Sequence, residues 1–181
     1  LGVADTIDRF EADGYPVAQW VKDMVADGKD TFYEYENGVA VGYYDLDKKD
    51  YVPFKKDERE ISIALLKAQG KEIEGNNDAS ILDLGDGVLL WEFHSKQNSI
   101  TGDLLEIGHK ALDMLNDPQW KALVIGNEGE RFSIGANLDP SVLMEGMEGI
   151  NRMLVGLQDV AQAIKYAPKP VVVAAHHMAL G

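Results

Sequence analysis

The chain has 181 residues, room for one domain or one and a fraction, with an apolar share of 45% that suits a globular protein. Its net charge of −14 is evenly spread, with 10 basic and 17 acidic residues in 1–77 and 7 and 14 in 78–181, so no basic stripe is on offer and nucleic acid and anionic membranes are argued against as partners. The absence of cysteine excludes disulfides and thiolate metal sites, no window is apolar for the length of a membrane span, and no secretory signal opens the sequence; a cytoplasmic location is expected.

Asp13-Gly14-Tyr15-Pro16 is a turn that opens a helix, on which Val17, Trp20, Val21, Met24 and Val25 share one apolar face and Gly28 is the stop signal. Thr31 to Tyr44 reads as a hairpin. Phe32, Tyr33 and Tyr35 precede Asn37-Gly38, the strongest short hairpin signal, and Val39, Val41, Tyr43 and Tyr44 follow it. Tyr51 to Phe54 is placed as a third strand. Glu58 to Gln69 is a second helix, with Ile61, Ala64, Leu65 and Ala68 on one face and Gly70 at its end. The polar, turn-rich Gly75-Asn76-Asn77-Asp78 marks a domain boundary, so the expected domains are 1–77 and 78–181.

Beyond the boundary the pattern is α/β. Ile81 to Leu84 and Val88 to Phe93, joined through Gly85-Asp86-Gly87, form a strand pair. Thr101 caps a helix striped by Leu104, Ile107, Ala111 and Leu115 and ended by Pro118. Lys121 to Ile125 is a buried strand. The long helix that follows carries Met153, Leu157, Val160, Ala161 and Ile164 and stops before Pro168 and Pro170. Val171 to Ala175 is another strand, read as buried.

The chain is organised around Gly126 to Leu138, a glycine-bearing turn between a strand and a helix. Such a turn points backbone N–H groups outward with no side chain in the way, which suits an anion or a developing oxyanion. Other candidates carry less. His176 and His177, as neighbours on a strand, face opposite ways and do not share a metal; no metal spacing occurs, and none is expected. Ser133 lacks the Gly-x-Ser-x-Gly elbow of an activated nucleophile. No dinucleotide or Walker motif is present. Met144, Met147 and Met153, at helical spacing, read as core before they read as the wall of an acyl pocket.

Three motifs in Ser80 to Gly181 carry a resemblance. Phe93-His94-Ser95-Lys96-Gln97-Asn98-Ser99-Ile100, Phe132-Ser133-Ile134-Gly135-Ala136-Asn137-Leu138, and Lys169 to Ala175 with Met178-Ala179-Leu180-Gly181 resemble, in order, the first loop, the Phe-Ser-Ala-Gly-Ala-Asp-Leu turn and the strand into the second glycine loop of the crotonase (enoyl-CoA hydratase/isomerase) superfamily. Asn137 stands where that family commonly has Asp, and His177 where it often has Gly. The resemblance implies a partial crotonase-like (ββα) spiral, its N-terminal half, preceded by a small helix–hairpin–helix α+β segment. Residues 1–77 resemble the linker of bacterial proteins that join a 3-hydroxyacyl-CoA dehydrogenase to a crotonase domain. With Leu1 as its first residue, the chain is expected to be a piece of a longer one.

By match, Ala136 supplies one oxyanion-hole N–H and Gly181 begins the loop that supplies the other. Lys96, Ile134, Ala136, Asn137 and Leu138 are the expected contacts of a coenzyme A thioester, which is the substrate. NAD belongs to the longer protein's upstream domain. The implied activity is enoyl-CoA hydration within fatty-acid β-oxidation, carried by a parent that also has 3-hydroxyacyl-CoA dehydrogenase activity, the 181 residues alone being inactive. A homo-oligomer through an exposed apolar edge is a further expectation. Two rival readings stay open: a non-catalytic CoA-binding or assembly module, and another reaction of the family, whether isomerisation, thioester hydrolysis or decarboxylation.

Overall fold

The computed structural model describes residues 2–55, 60–137, 142 and 144–180. It divides into two compact units, Leu1–Ile61 and Ser62–Gly181.

In the first unit, α1 (Val3–Ala12) and α2 (Gln19–Ala26) precede a three-stranded antiparallel sheet of β1 (Tyr33–Glu36), β2 (Val39–Asp45) and β3 (Asp50–Pro53). α1 is an element the periodicity did not reveal. Gly28 ends α2 as expected: at φ +81° it lets Lys29 N–H reach the Met24 carbonyl at 3.1 Å and its own N–H reach Val25 at 2.9 Å, two bonds that close the last turn. Asn37 and Gly38, at φ +49° and +81°, make the two-residue turn between β1 and β2. The unit buries little. Met24 is buried, whereas Trp20, Tyr33, Tyr43 and Phe54 are partly exposed: Trp20 stacks on Tyr44, and Tyr33 and Tyr43 both meet Phe54.

The second unit holds α3 (Ile63–Ala68), β4 (Glu72–Gly75), β5 (Ala79–Gly85), β6 (Val88–Phe93), α4 (Gly102–Met114), β7 (Ala122–Gly126), β8 (Ser133–Ile134), α5 (Gly146–Lys165), β9 (Val171–Val173) and β10 (Ala179–Leu180). The main sheet runs β4-β5-β6-β7-β9, antiparallel up to β6 and parallel beyond; β8 and β10 form a separate parallel pair. The boundary expected at 77/78 therefore moves to 61/62. β4 pairs with β5, and Ile63 of α3 packs on Leu82 and Leu90, so both elements belong to the sheet that follows them. The helix expected from Glu58 is described only from residue 60 onward and begins at Ile63, where the Ser62 hydroxyl accepts the Leu65 N–H; 56–59 lie outside the described residues.

The sheet's two faces are unlike. One carries Ile81, Leu89, Trp91, Phe93 and Leu123 onto Leu104, Ile107, Ala111 and Leu115, the stripe of α4, with Val160 of α5 in the same cluster. The Thr101 hydroxyl accepts the Leu104 N–H at 3.1 Å and starts α4 as the sequence predicts. The other face carries Leu82, Leu90 and also Glu92, whose buried carboxylate accepts from Lys67 of α3 at 3.0 Å and from His94 Nδ1 at 2.7 Å. A charge taken out of water needs such partners.

Val171 to Ala175, read as an apolar strand and expected to leave an apolar edge exposed, does present that edge. β9 is an edge strand, paired with β7, and Val172 and Val173 are 56% and 50% exposed. Among the described residues no helix is long and apolar enough to cross a membrane.

Candidate functional site

Three loops meet at the ends of β6, β7 and β9. The first leaves β6 at His94 and makes a tight turn over Lys96–Asn98, with Gln97 and Asn98 at φ +57° and +53°. Asn is among the few residues that tolerate this left-handed region. The Ser95 hydroxyl donates to the Ser99 carbonyl at 2.6 Å, and the Asn98 N–H to the Ser95 carbonyl at 2.9 Å. Lys96 stays exposed while Asn98 is buried, its Nδ2 donating to the Arg131 carbonyl at 2.7 Å.

The second loop is the glycine turn after β7. Asn127 spans it, with Nδ2 donating to the Phe132 carbonyl at 2.9 Å and Oδ1 accepting the Gly129 N–H at 3.0 Å. Gly135 lies at φ +91°, and its N–H donates to the buried Ser133 hydroxyl at 3.0 Å. The Ser133 hydroxyl, at the start of β8, is thus engaged by the turn. No base is bonded to its hydroxyl among the described residues.

The first two loops are joined at Ile100, which bridges Ala136 in parallel. The Ile100 N–H donates to the Gly135 carbonyl at 2.8 Å, and the Asn137 N–H to the Ile100 carbonyl at 2.9 Å. The Gly135 carbonyl and the Ala136 N–H belong to one trans peptide and point in opposite directions. Since Ile100 takes the carbonyl, the Ala136 N–H faces away from the first loop. It has no hydrogen-bond partner among the described residues. A free backbone donor at a glycine turn is the chemical element of an oxyanion site.

The third loop follows β9. The Ser133 N–H donates to the Met178 carbonyl at 3.1 Å, and β10 then runs parallel to β8, with Ala179 opposite Ser133 and Leu180 opposite Ile134. His176 Nε2 donates to the Gly129 carbonyl at 2.9 Å, so this histidine ties the third loop to the second. The expectation that His176 and His177 lie on a strand is corrected: both fall between β9 and β10, His177 at φ +47°, and their rings meet edge to face at 5.4 Å. Among the described residues no group of three His, Cys, Asp or Glu is placed to hold a metal.

The structure thus brings Ala136 and Asn137 to Ile100, with the exposed Lys96 on the neighbouring turn, and sets Ile134 opposite Leu180. Leu138 and Gly181 lie outside the described residues, as does Asp139. A cleft of about 730 Å³ between α4 and α5 is lined by Ile100, Asn137, Met153 and Leu157, and an apolar one of about 360 Å³ by Phe93, Phe132, Leu157 and Leu180. Met144 and Met147 are not core, being 88% and 79% exposed; Met153 lines the cleft between α4 and α5. Sequence reasoning assigned no role to the Asn98 and Asn127 amides. Their signal was only the turn preference of Asn, which says nothing of the carbonyl each one finds.

Solved structures share this fold over part of their length. An enoyl-CoA hydratase from Bacillus anthracis superposes with a TM-score of 0.51 at 23% identity, over 57% of this chain and 42% of its own. One from Polaromonas sp. JS666 gives 0.50 at 25% identity, over 54% and 40%. The fold is partial crotonase-like. In sequence, a Bacillus subtilis (strain 168) protein named "Probable 3-hydroxyacyl-CoA dehydrogenase" is 38% identical over 185 residues, covering all of this chain. The chain spans 23% of that relative and about two fifths of each solved crotonase-fold protein. No family model matches the sequence.

Proposed function

We propose that residues 1–181 belong to a longer enzyme of acyl-CoA metabolism that hydrates 2-enoyl-CoA thioesters and also carries 3-hydroxyacyl-CoA dehydrogenase activity. The observation that carries the reading is the Ala136 N–H, without a partner among the described residues, at a positive-φ glycine turn flanked by the two bonds that Gly135 and Asn137 make with Ile100. The thioester oxygen accepts this N–H, and the charge that builds on that oxygen as the enolate forms is held by a preorganised donor, an effect on the order of a hundredfold or more in rate. A second N–H comes from the loop that Gly181 begins. Carboxylates beyond it move the proton and the water. Lys96, Ile134, Asn137 and Leu138 contact the coenzyme A part. Residues 1–61 are the end of a dehydrogenase helical region with a hairpin linker, and NAD binds upstream of them.

The full-length protein decides the matter in two assays: loss of enoyl-CoA absorbance on hydration, and NADH formation from a 3-hydroxyacyl-CoA. Both activities are expected. A protein that binds acyl-CoA and turns over neither substrate is the assembly module instead, and one that converts enoyl-CoA to another product runs a different reaction of the fold.

A further inference from the structure

We infer that Asn98 is a positioning residue, which holds the first loop against the Gly126–Asn137 turn and so sets the direction of the Ala136 N–H. The inference rests on reading Ala136 as an oxyanion donor. Three observations on the molecule carry it. Asn98 is buried, in a left-handed conformation, directly after a second left-handed non-glycine residue, Gln97. Such a backbone persists only where its surroundings over-determine it. Its amide then crosses to the Arg131 carbonyl, 33 residues along the chain, at 2.7 Å. Among the described residues this is the one side-chain hydrogen bond from the first loop to the turn. Finally, Gly129 is built around the same amide: a Cβ there would lie 2.7 Å from Asn98 Nδ2.

Two residues after Asn98, Ile100 makes the pair of backbone bonds that flank Ala136. The amide and this ladder therefore hold the loop at two points in its C-terminal half. With the amide removed, the loop pivots on Ile100 alone, and the Gly135–Ala136 peptide turns with it. A donor displaced by about 1 Å costs roughly a hundredfold in rate, so a partial displacement is felt in the chemical step more than in binding. Asn98 touches no substrate atom in this account; it acts through Ile100 and Gly135.

The test uses the full-length protein with Asn98→Gly and Asn98→Asp. Glycine accepts the left-handed backbone and removes the amide. Aspartate keeps size and backbone tolerance and replaces the donor by an acceptor. In both variants kcat for enoyl-CoA hydration is expected to fall about tenfold or more with KM within about twofold, and hydrogen exchange of the Ile100 and Asn137 amides to quicken. A glycine variant with wild-type kcat overturns the inference, because the backbone conformation would then be all that Asn98 provides. Wild-type protein without hydratase activity overturns the proposed function instead. Asn98 is then judged by exchange alone: faster exchange at Ile100 and Asn137 in both variants upholds its hold on the loop, and unchanged exchange removes it.

Discussion

Gly108 of α4 leaves the space that the Trp91 indole of β6 fills: a Cβ on Gly108 would lie 2.3 Å from two carbons of the ring. Trp91 is buried, meets Phe93 edge-on at 5.1 Å, and Phe93 in turn meets Phe132 at 5.8 Å, directly before Ser133. A missing side chain on a helix thereby seats the aromatic row under the glycine turn. Gly108→Ala sets two effects against each other. Helix propensity gains about 1 kcal/mol, while overpacking costs about 1–3 kcal/mol. A contact this short forces the ring or the helix to move by about 1 Å, which places the cost at the upper end. The expected outcome is a net loss of about 1–2 kcal/mol, read from the denaturant midpoint at constant m-value. An alanine variant as stable as wild type would show that Trp91 repacks freely.

Gly135→Ala acts on the turn itself. At φ +91° an L side chain is strained, and the strain is relieved by rotating the peptide that carries the Ala136 N–H. In the full-length protein, enoyl-CoA hydration is expected to fall roughly a hundredfold or more, with the dehydrogenase activity as an internal control. Equal loss of both activities would point to unfolding, and wild-type hydration would remove Ala136 from the site.

Lys110 of α4 titrates high because it donates to Glu74 of β4 and, beyond that, to Glu106 one helical turn before it. A raised folded-state value means that the protonated form binds its partners in the native state. The contribution is therefore fully present below the ordinary lysine value of 10.5 and is lost as pH rises through the raised one. Thermal scans of wild type and Lys110→Met from pH 8 to pH 12 check the sign. Wild type is expected to be the more stable at pH 8, the two converging only at the alkaline end. With 41% of its side chain exposed to water, solvent screening keeps the difference small.

Residues 1–181 by themselves are expected to show no hydration of enoyl-CoA above background. On the proposed reading these residues supply one N–H, that of Ala136, whereas the mechanism wants two N–H groups aimed at one oxygen and a proton-transfer group worth roughly a hundred- to ten-thousandfold. The comparison is enoyl-CoA absorbance with equal molar amounts of these residues and of the full-length protein. Comparable turnover would mean that the acid and base lie within the described chain.

What the sequence determined by itself was local or periodic. Asn37-Gly38 and Gly28 adopt positive φ because few other residues do so cheaply, and Thr101 caps α4 through a hydrogen bond only three residues long. The stripe Leu104, Ile107, Ala111, Leu115 was legible because 3.6-residue spacing puts one face of a helix into the core whatever the core turns out to be. The α/β order followed from such signals, and the crotonase-like turn from the resemblance of Phe132 to Leu138 to that family's motif. Only the tertiary structure could place β4 and α3 on the second unit, since their partners Leu82 and Leu90 give no sign in the polar stretch between them. Only it could show Glu92 held by Lys67 from 25 residues away, Asn98 finding the Arg131 carbonyl, and Gly108 making room for Trp91. A hydrogen bond or a packing contact across such distances is chosen by which chain segments the sheet brings within about 3–4 Å, and that choice is a property of the assembled layers rather than of any one stretch of residues.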